Sequence, residues 1–148
     1  MNDLFNTPFE SGLRALLILS VVAPENVSVD RMAAYDFMAM YGKDFGLTTF
    51  NLHGNSVFNF SEFPAKRSLL TKGVKDIALD GLITILQTAS GFMYQINKNG
   101  ITFVKALDTD YSQQYFEALK KVHATYSTES DANLTKIISA KALSTLRR

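Results

Sequence analysis

The chain has 148 residues, of which 47% are hydrophobic, and a formal charge of +1 at pH 7. These values describe one folded domain, or a small core with a helical extension, and they exclude a disordered chain. They also lack the clear basic excess of most nucleic-acid-binding domains, so any contact with DNA needs a local patch. Because there is no cysteine, disulfides and thiolate sites are excluded, and a reducing cytoplasm is the expected compartment.

An apolar run over residues 15–23 resembles the core of a signal peptide. Two acidic residues, Asp3 and Glu10, precede it with only one cation, Arg14, which is the wrong charge balance for a signal. The run is also shorter than the roughly 20 apolar residues that span a bilayer. We therefore expect neither secretion nor a membrane partner.

Two helices are predicted in the first part of the chain. The first runs from about Pro8 to Val22, with proline in its first turn and Pro24 beyond its end. The second starts after the capping residue Ser28 and ends near Gly42.

The second helix is apolar almost all round, which is typical of an enclosed helix. A domain of this size can cover only part of such a surface. We therefore expect one methionine-rich face, with Met38 and Met40, to dock on another subunit. The alternative is that the C-terminal helices of the same chain cover it.

Asp36 places a carboxylate in this apolar helix, where an unpaired charge is very unfavourable. Arg14 or Arg67 can supply the cation, and the pair would then hold helices together. A contact with an arginine of a partner protein is the alternative.

A long turn-rich connection over residues 42–60 exceeds the roughly two to eight residues usual between packed helices, so we expect it to have a function. A third helix is predicted over residues 61–86, with a break near Gly81 that leads residues 82–88 into a wing. The wing itself is predicted as two alternating strands within residues 91–105 that turn at residues 97–100. Helix, loop, helix and hairpin in this order predict a winged helix-turn-helix.

Two more helices follow, over residues 108–126 and from the cap Ser130 to Leu146. The predicted fold is therefore α+β and mainly helical. It has a winged helix-turn-helix domain with a β-hairpin wing over residues 1–107, and a C-terminal helical extension over residues 108–148.

No catalytic, cofactor or metal site is predicted. The two histidines, His53 and His123, are far apart and have no nearby carboxylate cluster, whereas a zinc site needs three or four convergent ligands. No phosphate-binding loop and no nucleophile motif is present, so a small hydrolase that takes a small-molecule substrate is disfavoured.

Six basic residues form the only candidate DNA-facing set. In a DNA-reading winged helix the recognition helix enters the major groove and the wing contacts the backbone. Glu62, Asp76 and Asp80 on the third helix weaken the positive field of this set. The set comprises Lys66, Arg67, Lys72, Lys75, Lys98 and Lys105.

Four sequence stretches carry a family resemblance. They are NTPFE at residues 6–10; YDF at 35–37 with YGKDFG at 41–46; NLHG at 51–54 with EFPAKR at 62–67; and GFMYQIN at 91–97 with NGI at 99–101. In order and spacing they resemble the small middle component of ABC three-component systems, the bacterial antiphage defence group that includes Lamassu. The resemblance extends from the amino terminus to about Tyr115.

The resemblance implies a non-catalytic winged-helix subunit that bridges or restrains an SMC-like ABC ATPase and an effector of the nuclease type. DNA would then be contacted mainly through the complex. A stand-alone winged-helix transcriptional regulator that binds duplex DNA is the alternative. The candidate partner contacts are Met38, Met40, Asn51, Leu52, His53 and Gly54.

Overall fold

The computed structural model describes residues 8–49, 51–52 and 62–146. This part of the chain contains six helices and one antiparallel pair of strands. The helices are α1 (Pro8–Val22), α2 (Val29–Met40), α3 (Phe63–Leu79), α4 (Lys98–Lys105), α5 (Asp110–Tyr126) and α6 (Asp131–Leu146). The strands are β1 (Ile83–Thr88) and β2 (Gly91–Ile96), and both lie between α3 and α4.

Side-chain caps fix where several helices begin. Ser28 Oγ accepts a hydrogen bond from the backbone N–H of Arg31 at 3.0 Å, and α2 starts at the next residue. Thr109 caps α5 and Ser130 caps the start of α6 in the same way. Each cap satisfies a backbone donor that has no partner inside the helix, which explains why these boundaries agree with the predicted ones.

The hairpin follows α3 directly. Gly81 has a φ of +78°, a conformation that other residues rarely adopt, and it ends α3 close to the predicted break. Strand β1 then pairs antiparallel with β2, from Ile83 opposite Ile96 to Thr88 opposite Gly91. On its other side β2 forms a β-bridge between Tyr94 and Val27, which lies just before α2.

The predicted position of the hairpin was wrong. Residues 97–100 do not turn between two strands; instead the Asn97 side chain accepts the backbone N–H of Gly100 at 2.9 Å and caps α4. Residues 101–105 are therefore helical, and the hairpin consists of β1 and β2. The third helix ends at Leu79, earlier than predicted, because the chain reverses at Gly81.

Helix α2 lies at the centre of the core and contacts α1, α3, α5 and α6. All nine residues from Met32 to Met40 are buried. Helices α5 and α6 contribute Tyr115, Leu119, Leu134 and Ile138 to the same core, each with no exposed surface. The C-terminal helices thus share one core with the preceding elements.

Helix α1 packs most extensively against α3. A Cβ atom on Gly12 would lie 3.1 Å from the carbonyl oxygen of Gly73, so the two glycines allow the helices to approach closely. Among the helices of the described residues, none combines the length and the apolar character needed to cross a bilayer.

We expect Gly100→Ala to lower the free energy of unfolding by about 1–3 kcal/mol, the usual range for overpacking. A Cβ at this position would overlap the carbonyl oxygen of Leu82, so α4 would have to move away from the hairpin. Urea denaturation followed by circular dichroism measures the change. Thr102→Ala, at an exposed position of the same helix, is the control and should change stability by no more than about 0.5 kcal/mol. An equal effect of both variants would contradict the assigned packing of α4.

Candidate functional site

A buried ion pair joins α1 and α2. Arg14 Nε donates to Asp36 Oδ1 at 2.9 Å, and each residue is only 2% exposed. Tyr115 of α5 donates its hydroxyl to the same oxygen at 2.5 Å. Ser11 Oγ accepts a further bond from Arg14 Nη2 at 3.3 Å. The carboxylate predicted to need a cation thus has Arg14 beside it, and its partners come from two other helices of its own chain.

The electrostatics of this cluster favour a charged pair and a neutral tyrosine. Burial lowers the pKa of Arg14, but the Asp36 carboxylate and two tyrosine hydroxyls raise that pKa by more, so the net shift is upward. Burial, followed by the field of Asp36, raises the pKa of Tyr115 well above its ordinary value. Tyr115 therefore stays protonated and serves as a hydrogen-bond donor. We assign the cluster a structural role, as a joint between three helices.

A second polar cluster, centred on Arg31 of α2, holds the connection between α5 and α6. Arg31 Nη1 donates to the carbonyl of Glu129 at 2.7 Å and to Asp131 Oδ1 at 3.1 Å. Its Nη2 donates to the carbonyls of residues 126–127 at 3.2 and 3.0 Å. Ser28 Oγ donates to Asp131 Oδ2 at 2.6 Å. A cation at the end of α5 interacts favourably with the helix dipole, so Arg31 both caps α5 and anchors α6.

Sequence reasoning missed the role of Arg31. Its polar partners lie 95 to 100 positions further along the chain, beyond the reach of any local pattern. The available signal was the one basic residue of a largely apolar helix, together with a polar turn after Tyr126.

Of the two histidines, His123 lies in the last turn of α5 and shares a hydrogen bond of 2.7 Å between its Nδ1 and the hydroxyl of Tyr35. His53 lies outside the described residues. Within the described residues, no group of three or more histidine, aspartate or glutamate side chains could hold a metal ion.

The structure corrects our expectation for the methionine-rich face of α2. Met38 is 0% exposed and Met40 is 1% exposed, so neither can reach a partner without unfolding of the domain. The Tyr111 hydroxyl of α5 contacts Met40 Sδ at 3.5 Å, and α6 also packs on α2. The C-terminal helices cover this helix, which is the alternative that the sequence left open.

The described start of the predicted partner loop is folded back onto the end of α2. Asn51 Oδ1 accepts the backbone N–H of Lys43 at 2.9 Å, and its Nδ2 donates to Asp44 Oδ2 at 2.9 Å. The backbone N–H of Leu52 donates to the carbonyl of Met40 at 3.1 Å. His53 and Gly54, the other two predicted contacts in this loop, lie outside the described residues.

The four basic residues predicted on α3 do not share one face. Arg67 pairs with Asp30 of α2 at 2.7 Å, so it is not a partner of Asp36. Lys66 is half-buried, and burial lowers its pKa. Lys72 and Lys75 are exposed, on the side of α3 that points away from the core.

The two lysines expected in the wing lie elsewhere. Lys98 begins α4 and Lys105 ends it, so about 10 Å of helix separates them. Neither lies on the hairpin of β1 and β2. The six basic residues therefore do not form one continuous positive face.

Two open apolar concavities mark the surface. The first, the α4–α5 groove, has a volume of about 690 Å³ and includes Leu17, Val104, Leu107 and Phe116 in its lining. The second, the α3–β1 surface, has a volume of about 710 Å³. It is lined by Lys72, Lys75, Asp76, Ala78, Leu79 and Ile85. No histidine is among the described residues that line either concavity, so neither shows a nucleophile next to an imidazole base.

These features define a mainly helical α+β protein in which buried charged residues join helices and two concave surfaces expose mainly apolar area. From residue 4 to residue 148 the sequence matches the family described as ABC-three component (ABC-3C) system Middle Component 2, and the chain belongs to this family. No curated protein and no solved structure matches it.

The match confirms the resemblance to an ABC three-component middle component. It also extends beyond Tyr115, where the resemblance that we found in the sequence ended, through the C-terminal helices. The narrower likeness to Lamassu stays a prediction.

We expect Asp36→Ala to lower the free energy of unfolding by about 3–5 kcal/mol, because it leaves the buried Arg14 cation without its carboxylate. Asp30→Ala is a matched control on the same helix: its pair with Arg67 is largely exposed and should contribute about 1 kcal/mol or less. Urea denaturation of both variants at pH 7 gives the comparison. Equal losses would contradict the structural role assigned to the buried pair.

Alkaline pH should destabilise the protein through two tyrosines, the buried Tyr41 and the half-buried Tyr111. Burial raises the pKa of Tyr111 and that of Tyr41 to about 12, from an ordinary value of 10.0. The folded state thus retains protons that the unfolded state releases, so this stability is complete below pH 10 and is lost as pH rises through 12.

Tyr111→Phe should remove about one such proton. Between the unfolded and the folded pKa of this tyrosine, the free energy of unfolding of the variant should therefore fall less steeply, by roughly 1.4 kcal/mol per pH unit. Denaturation curves recorded from neutral to strongly alkaline pH test this effect. Parallel pH dependences of the variant and the natural protein would be inconsistent with it.

Proposed function

We propose that the protein is a non-catalytic adaptor or regulatory subunit of a cytoplasmic bacterial antiphage defence complex. In this role it bridges an SMC-like ABC ATPase and an effector subunit of the nuclease type. The observation that carries the proposal is the family match from residue 4 to residue 148, which assigns the chain to the middle component of a three-component system.

A winged helix is the fold that we propose for its first part. Helices α1, α2 and α3 precede the hairpin of β1 and β2, and an isolated bridge joins Val27, just before α2, to Tyr94 of β2. This order is that of a helix-turn-helix domain followed by a wing. In it, α3 occupies the position of the recognition helix.

The positions of the charged residues support an adaptor role. The most deeply buried charges, those of Arg14 and Asp36, are used to join helices, and Arg31 is used to anchor the C-terminal helices. Most of the accessible area in the α4–α5 groove and on the α3–β1 surface is apolar, which is characteristic of binding sites. Asn51 and Leu52 remain proposed partner contacts, because both are half-buried at the edge of the core.

A stand-alone DNA-binding regulator is the second candidate. Lys72 and Lys75 favour it, since both are exposed on the helix that reads DNA in other winged-helix proteins. The separation of Lys98 from Lys105, the pairing of Arg67 with Asp30 and the low net charge weigh against it. We therefore propose that DNA is contacted mainly through the assembled complex.

The test is co-expression of the tagged chain with the products of its neighbouring genes. We expect an SMC-like ATPase and an effector subunit to co-purify with it in defined stoichiometry. In parallel, the isolated protein should not retard a short DNA duplex at moderate salt, because few unpaired cations face one direction. The opposite result would establish the regulator instead. In that case no component would co-purify, the isolated chain would retard the duplex, and Lys72→Glu combined with Lys75→Glu would abolish the retardation.

A further inference from the structure

Strand β1 has an open edge. The sheet has two strands in the described residues, and there the backbone hydrogen bonds of β1 go to β2 and to no other segment. In an antiparallel pair the N–H and C=O groups of alternate residues point away from the partner strand, so an edge strand presents them unpaired.

The sequence of β1 does nothing to protect this edge. Its six residues, ITILQT, include no charge, no proline and no glycine. Natural edge strands are usually protected by lysine, proline or a bulge, and β-branched residues such as Ile83 and Ile85 favour strand pairing. The edge is thus competent to accept another strand.

An apolar concavity lies beside this edge. Leu79, at the end of α3, is 86% exposed, and Ile85 of β1 is 46% exposed. Both line the α3–β1 surface. A side chain of an added strand can enter the concavity and cover these two residues, which are among the most exposed large apolar residues described.

The charges around the concavity favour an acidic ligand. Neither Lys72 nor Lys75 has a carboxylate within 4 Å among the described residues, and Asp76 is the one acidic residue of the lining. The lining therefore carries two ammonium groups and one carboxylate, while Asp80, which follows Leu79 in the chain, lies outside it.

We propose that β1 and the α3–β1 surface bind an extended segment of a partner protein by strand addition. The segment pairs with the open edge of β1, places an apolar side chain against Leu79 and Ile85, and directs carboxylates to Lys72 and Lys75. The inference rests on the proposed function, since it takes the partner to be another component of the same system.

A peptide segment fits this surface better than duplex DNA or a second copy of the chain would. Duplex DNA can use the lysines, but it leaves the backbone edge unpaired and brings phosphates next to Leu79. A second copy related by two-fold symmetry would present the same patch to itself, so the lysine pairs of both chains would enter one interface.

Hydrogen exchange followed by mass spectrometry, on the co-purified complex and on the isolated chain, tests strand addition directly. Amides of β1 should exchange at least roughly tenfold more slowly in the complex, because added hydrogen bonds suppress local opening. Amides of α6 serve as an internal reference and should be unchanged.

Variants test the side-chain contacts. Leu79→Asp, and Lys72→Glu combined with Lys75→Glu, should each weaken capture of the partner by roughly tenfold or more. Leu143→Asp and Lys136→Glu, at exposed positions of α6, are the matched controls and should leave capture unchanged. Thermal unfolding of each variant shows that it remains folded.

The outcomes separate the inference from the proposed function. If no component co-purifies with the natural chain, both fail. If components co-purify but β1 exchanges at its free rate, or the variants bind like the controls, the inference is overturned while the adaptor role stands. Protection of β1 in the isolated chain with a concentration-dependent dimer, or protection by a short DNA duplex, would identify a different occupant and overturn it too.

Discussion

The Asp36 carboxylate accepts hydrogen bonds from Arg14 of α1 and from Tyr115 of α5, so three helices have to meet at one oxygen atom. Apolar side chains alone would allow these helices to rotate or slide with little change in buried area. The buried ion pair makes such rotation or sliding unfavourable, because any arrangement that separates Arg14 from Asp36 leaves a buried charge without a partner. We therefore regard the pair as a determinant of helix orientation, and packing of apolar surface as the main source of stability.

This joint decides which surfaces are left for partners. Because Tyr115 draws α5 onto α2 and Arg31 holds the following turn, the two C-terminal helices, together with α1 and α3, bury α2 from Met32 to Met40. The apolar residues of α2 thus lie in the core of the domain, although we expected one face of this helix to form an interface. Exposed apolar side chains are found instead at the end of α3 and in the hairpin, where Leu79 and Phe92 are examples.

The sequence predicted features that depend on short-range chemistry. Caps such as Ser28 and the break at Gly81 are local, and a lone carboxylate at Asp36 demands a cation whatever the fold. The hairpin was predicted at the wrong position because an Asn-x-Asn-Gly stretch suits both a hairpin turn and a helix cap. The helix cap is the one observed, and there Gly100 packs closely against the Leu82 carbonyl, a contact that the local sequence does not reveal. Coverage of α2 depends on contacts about 100 residues apart, which no local pattern encodes.

The balance between a protein and a nucleic-acid partner follows from how the charges are distributed. Affinity for DNA grows with the number of phosphates neutralised, each contributing a slope of roughly 0.9 to the salt dependence. Two lysines on α3 without a carboxylate partner neutralise few phosphates, so they add little affinity for DNA. Salt screens this contribution further. Backbone pairing along β1 and burial of Leu79 depend on neither net charge nor ionic strength. A chain of formal charge +1 with an open strand edge is therefore better suited to hold another protein than to bind DNA by itself, which is why we propose that any contact with DNA is made through a complex.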